Sequence, residues 1–298
     1  MERAPAYRPR PVLSRAVSVA VALVLSLPSA APAATPSRWE VTVAIRITGG
    51  TGAPMTVRLA LPADTETQQV GDVEVTARGL EAQVVRDGPE PYVLLGGKLK
   101  GARRVAVRYT VHRRRQLAAV PAVQPLPVPP VDLVQFVSPT PLFQSRSILV
   151  RDFLETNVSP HLGNAGTDDL MRTILQVTRD RLLWDRKGHS LALNVIRSGK
   201  GKRIGIERAF TTFLRCADIP ARLVEGINLS SRTQHKRVFW TEVWANDRWW
   251  PVSASHGWVG REPKSYIALT RDGQRVLKVE GGVQAAYTVQ AMPQETKA

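Results

Sequence analysis

Few side chains in this 298-residue chain could act as nucleophiles or bases, and only one of them is a thiol. Cys216 stands near the end of an apolar helical run, where a small buried residue is the plain expectation. His256 follows Ser253 and Ser255, and His235 lies in the polar stretch 230–236. A Ser255–His256 or Ser253–His235 pair would supply a hydroxyl nucleophile and its base, but neighbourhood in sequence is weak evidence, and both histidines read as surface loop residues. Asp185, His189 and Glu207 are metal-ligand types whose spacing matches no ligand motif, so no metal site is expected. A single cysteine also excludes a zinc site built on several thiolates. No cofactor motif is present. Lys200, Lys202, Arg203 and Arg208 gather positive charge where a helix begins, an arrangement that suits either a bound anion or a solvated face. Trp249, Trp250 and Trp258 are candidates to line a groove for a peptide or sugar. Core packing is the preferred reading for Trp249, and Trp250 and Trp258 stay open.

The elements that must hold these residues follow from hydrophobic period. Ile206, Ala209, Phe210, Phe213, Leu214 and Ala217 recur at helical spacing and predict a helix buried along one face. Strand-like runs follow at 222–229, 237–245 and 248–252, and two more at 276–292. Upstream, Met171, Ile174, Leu175, Thr178 and Leu182 share another helix face, with Thr167 as N-cap and Asp168 and Asp169 in its first turn. Shorter helices are predicted at 145–155 and 190–198. Before them, seven prolines between 121 and 141 predict an extended linker laid along a domain surface. From Trp39 to Arg115 the period is two: Val41, Val43, Ile45 and Ile47, then Met55, Val57, Leu59 and Leu61, then Val105, Val107, Tyr109 and Val111. Turn residues separate these runs, and about six short strands predict a small antiparallel β-sandwich.

Three ordered motifs between about 142 and 260 resemble the transglutaminase-like superfamily. LRCADIPARLVEG (214–226) resembles that family's helix end and following strand. WTEVW (240–244) resembles its next strand, and WWPV (249–252) the one after. The resemblance implies a papain-like α+β domain. In active relatives it also implies a Cys at the start of the buried helix, a His on the next strand as base and an Asp on the following strand to orient it. Counted without gaps, the helix-start motif falls on 201–207 and places Arg203 at the nucleophile, Val238 at the base and Ser253 at the acid. A guanidinium is not a nucleophile, and a cation at a helix N-terminus costs about 0.3–1 kcal/mol when exposed. Cys216 lies thirteen residues beyond Arg203, roughly 20 Å along a helix, too far to replace it. The resemblance therefore implies a scaffold without the Cys-His-Asp chemistry, with Arg203, Trp240, Trp250, Trp258 and His256 as candidates to line a binding cleft.

Composition sets the remaining expectations. The chain carries 41 Lys and Arg against 25 Asp and Glu, a net charge of +16. A basic n-region (Arg3, Arg8, Arg10, Arg15), an apolar run at 16–27 and Ala31-Pro32-Ala33 fit a signal peptide cleaved near Ala33. Its removal takes four Arg and one Glu, leaving +13. No later stretch is long and apolar enough to span a membrane. The expected organisation is a signal peptide at 1–34, a β-sandwich at 35–115, a Pro-rich linker at 116–141, a transglutaminase-like domain at 142–292 and a tail at 293–298. The expected function is that of an exported pseudoenzyme, periplasmic or extracellular, binding a polypeptide or an anionic cell-envelope polymer. Nucleic acid is not expected, because the chain is exported and carries no basic–aromatic motif. The alternative is an active acyl-transferase or an amidase- or protease-like enzyme with relocated catalytic residues.

Overall fold

The computed structural model describes residues 38–88, 90–114, 120–121, 123, 125–162, 170–229, 236–263 and 265–294. The stretch expected to be a signal peptide, His235, the expected cap at 167–169 and the last four residues lie outside them.

The chain opens with β1 (Arg38–Ala60), β2 (Gln68–Thr76), β3 (Glu81–Val85) and β4 (Tyr92–Arg113). β1 and β4 are 23 and 22 residues long, so the runs read as separate short strands are continuous. Gly49-Gly50 does not end β1 but bends it, with register shifts between Ile47 and Gly50 and between Thr51 and Pro54. At Gly50 any Cβ would sit 2.5 Å from the Leu99 carbonyl oxygen, so only glycine lets β4 pass that close. The apolar alternation is kept on both sides of the bend: Val41, Val43, Ile45, Ile47, Val57 and Leu59 are buried in one cluster with Val93, Leu95, Val105 and Val107.

Helices and the second sheet follow: α1 (Ile148–Asn157), α2 (Ser159–Leu162), α3 (Leu170–Arg181), β5 (Leu183–His189), α4 (Ala192–Ser198), β6 (Lys200–Gly201), α5 (Arg203–Cys216), β7 (Ala221–Asn228), β8 (Lys236–Ala245), β9 (Arg248–Ser253), β10 (Trp258–Val259) and β11 (Tyr266–Arg271). β10-β9-β8-β7-β11 form a five-stranded sheet. α5 packs its Ile206, Ala209, Phe210, Phe213 and Leu214 into the core beneath it, together with Val243, Trp250 and Val252. The architecture is α+β, with antiparallel sheets and a helical layer.

The last two strands are β12 (Leu277–Glu280) and β13 (Gln284–Gln294). Both leave the second sheet and pair with β1. β13 runs beside it from Arg38↔Gln294 to Thr48↔Gln284. Among the described residues the first sheet therefore has six strands, two of them from the stretch 277–294. An unpaired edge of β1 would expose a row of backbone donors and acceptors, which these strands satisfy.

The two sheets share apolar and polar contacts. Ile227, Leu229, Ile267 and Leu269 belong to the core of the first sheet. The Gln68 amide donates to the Ala268 carbonyl and accepts from the Ala268 N–H, each at 3.1 Å. Arg113 pairs with Glu262, both buried. The proline-rich stretch is docked, not free: Val120 and Val123 enter the α5 core, and the Leu126 N–H donates to the Asp218 carbonyl at 2.7 Å.

Candidate functional site

α5 starts where β5 and β6 bring the chain up beside the second sheet. The Lys202 N–H donates to the His189 carbonyl at 2.8 Å. Gly205 lies so close that a Cβ there would meet the same carbonyl oxygen at 2.3 Å. The helix thus begins at Arg203, with no acid in its first turn and no side-chain cap. The Arg203 guanidinium stands 5.2 Å from the exposed Trp184 ring and donates to the Ser255 carbonyl at 3.4 Å. It has no carboxylate partner among the described residues.

One turn further on, Glu207 is fully buried. Its Oε1 accepts from Ser253 Oγ at 2.6 Å and from the Ser255 N–H at 2.8 Å, and its Oε2 accepts from Thr241 Oγ1 at 3.2 Å. Thr241 in turn lies 2.9 Å from Thr211, whose hydroxyl returns to the Glu207 carbonyl. Burial raises the Glu207 pKa above its ordinary value, while the bonds from the two serines pull it back. His256 completes the group. Its Nδ1 is 3.0 Å from Ser253 Oγ and 3.1 Å from Ser255 Oγ, and its ring packs edge-on against Tyr266. Burial first, and the Arg203 charge second, lower its pKa to about 4. The imidazole is therefore neutral at neutral pH.

The expected site residues separate into two sets. Arg203, His256 and the half-buried Trp258 remain near solvent, joined by Ser255 and by Trp184, which sequence reasoning missed. Val238, Ser253, Trp240 and Trp250 do not line a cleft. Ser253 and Trp240 are wholly buried, and Trp240 packs with Val224, Val238, Tyr266 and Ala268. Trp250 is 3% exposed, lies in the α5 core and donates its indole N–H to the Ala245 carbonyl. Trp249, expected in the core, is the half-buried one, against Trp244, Phe136 and the Arg222 guanidinium. Asp185 is half-buried, His189 is exposed, and Glu207 is turned into the protein. Among the described residues no three potential metal ligands converge.

Cys216 closes α5 at the opposite end from Arg203. It is half-buried, and burial raises its thiol pKa, against a smaller lowering by Arg151. A thiol so placed gets none of the activation that a helix N-terminus gives.

Residues 166–254 match the transglutaminase-like superfamily. Among solved structures the chain is similar to a candidate cysteine protease from Cytophaga hutchinsonii, with a TM-score of 0.63 at 15% identity over 89% of this chain and 93% of that one. It is similar in part to a TGase, with a TM-score of 0.29 at 10% identity over 63% of this chain and 47% of that one. A candidate protease from Parabacteroides distasonis ATCC 8503 gives 0.27 at 11% identity over 71% of this chain and 43% of that one. The first likeness establishes the fold alone. No curated protein matches.

Proposed function

We propose that this transglutaminase-like chain performs no thiol acyl transfer and serves as an exported binding module, for a polypeptide or an anionic cell-envelope polymer. One observation carries the reading: a guanidinium occupies the N-terminal end of α5, and the only thiol lies at its other end with a raised pKa. The polarity of the site favours anionic groups. Arg203 lacks an acidic partner among the described residues, Lys200 and Lys202 are exposed beside it, and the helix end adds its own partial positive charge. Acidic side chains of a polypeptide or the repeating charges of a polymer both suit it. The test is incubation of purified protein with a glutamine-donor peptide and a primary amine, with and without a thiol alkylator. No incorporation is expected, and alkylator-sensitive product would overturn the reading.

A second reading has its own observation, the chain Glu207–Ser253–His256–Ser255. A hydroxyl, an imidazole and a buried carboxylate are the components of a hydrolase. However, both serines share one imidazole nitrogen, and the base is weakened by burial and, less, by the neighbouring cation. Alkylator-insensitive ester or amide turnover, abolished by His256→Ala, would support this second reading over the first.

A further inference from the structure

A second cationic site lies away from α5, where the first sheet meets β11. A cavity there offers about 20 Å³ to the centre of a water-sized sphere. That is room for the head of one small charged group and not for a whole ligand. Arg58, Arg271, Arg275 and Lys278 line it, against a single carboxylate, Glu90.

The charges are not neutralised internally. Glu90 is taken by the Gln274 amide, and Arg271 leans on Glu242 at 3.4 Å. Arg58, Arg275 and Lys278 have no acidic partner among the described residues. Arg58 and Lys278 stand directly opposite each other in the β1–β12 register, a like-charge juxtaposition that destabilises a sheet. Glu280, the next acid on that face of β12, accepts from Thr56 instead. Arg58 is held in place over the Tyr92 ring at 3.9 Å. A separate observation points to a ligand. Thr270 also lines the cavity, is 5% exposed, and its buried hydroxyl has no hydrogen-bond partner. Native structures rarely leave such a group unmatched.

We propose that this cavity binds a tetrahedral dianion, a phosphoryl group held by Arg58, Arg271, Arg275 and Lys278 with the Thr270 hydroxyl as a neutral donor. Three cations without an acidic partner, against the one carboxylate of Glu90, leave an excess of positive charge that calls for more than a single negative charge. Guanidinium forks and a hydroxyl suit the several oxygens of a phosphate. The site is distinct from the α5 cleft and does not depend on the reading of that cleft.

The test is calorimetric titration of the full chain with inorganic phosphate and with glycerol 1-phosphate, at constant ionic strength held by chloride. Saturable one-site binding is expected. Arg275→Gln and Lys278→Gln, both at exposed positions, should each weaken it about tenfold or more. Thr270→Val should weaken it several-fold, and Arg203→Gln should leave it unchanged. Tighter binding of the ester assigns the phosphoryl group of a larger ligand, and binding of phosphate alone assigns the free ion. Absence of saturable binding to both, equal binding of acetate, or indifference to Arg275→Gln and Lys278→Gln would overturn the proposal. Loss of binding in Arg203→Gln would transfer the anion to the α5 cleft and overturn it equally.

Discussion

Glu207 is the residue at which stability and the chemistry of the site meet, and its replacement gives a graded prediction. Glu207→Ala removes the acceptor of three donors. Two are hydroxyls that can rotate, Ser253 towards His256 Nδ1 and Thr241 towards Thr211. The third, the Ser255 N–H, is fixed to the backbone and is left unsatisfied. That loss costs about 1–3 kcal/mol. The space vacated by the side chain adds about 2 kcal/mol, the low end for large-to-Ala changes in a core. The expected total is roughly 3–5 kcal/mol, or about 6–20 °C in Tm for a domain of this size. Glu207→Gln keeps one acceptor oxygen and offers an N–H to Thr241, imitating the protonated acid, and should cost about 1 kcal/mol or less at acid pH. The pH dependence has a definite sign. Burial raises the folded-state pKa above 4.5, so the native state holds its proton longer than the unfolded chain. The contribution of the wild-type carboxyl is complete below the unfolded value and is lost as pH rises through the folded one. Urea unfolding from pH 4 to 8 should therefore show Glu207→Gln gaining on the wild type as pH rises. Parallel curves for the two proteins, or a Glu207→Ala cost below about 1 kcal/mol, would refute the account.

Other expectations follow from the same geometry. Arg203→Gln should move the His256 titration, followed by proton NMR, upward from about 4 while leaving it below 6.5, because burial, the larger cause, remains; an unmoved titration would show that the guanidinium does not act on the ring. Because that pKa is depressed, His256 should also draw stability from the fold as pH falls from 6.5 towards about 4, measured as the difference from His256→Gln. Ser253→Asp should destabilise strongly at neutral pH, since Ser253 Oγ lies 2.6 Å from Glu207 Oε1, and Glu207→Ala added to it should restore much of the loss; additivity of the two changes would count against the contact. A chain lacking 277–298 should lose the first sheet, seen as lost β-signal in circular dichroism, because β12 and β13 pair with β1; an unchanged spectrum would contradict the assigned topology.

The buried helix and the strands behind it were legible because period alone decides them. Every apolar position of α5 from Ile206 to Leu214 faces the core, as its spacing requires. Partners were less legible than faces. The run that became β13 alternates as a strand should, but alternation does not say which edge it completes, and nothing local distinguishes β1 from the neighbouring second sheet. Adjacent residues on a strand face opposite ways, so the Trp249–Trp250 pair turned on one residue of register. Val243↔Trp250 and Thr241↔Val252 put Trp250 on the α5 side and leave Trp249 to the other. Glu207 was placed on the right helix, yet its meaning depends on a strand 46 residues away.

The contact between Glu207 and Ser253 also bears on how the site is built. The resemblance set out above leads to the expectation of an acid at position 253. Here the acid stands on the helix and the small hydroxyl on the strand, and one carboxylate fills the space between them. Two carboxylates 2.6 Å apart could not both ionise, so either arrangement excludes the other unless one acid keeps its proton. The two positions are thus coupled: with Glu207 in place, an Asp at 253 is electrostatically disfavoured, and burial, with Arg203 as the smaller cause, keeps the imidazole of His256 neutral. The residues around the start of α5 form one consistent set built about a buried acid and an exposed cation. A thiol introduced at 203 alone would leave that set intact and would find no base on β8, where Val238 stands.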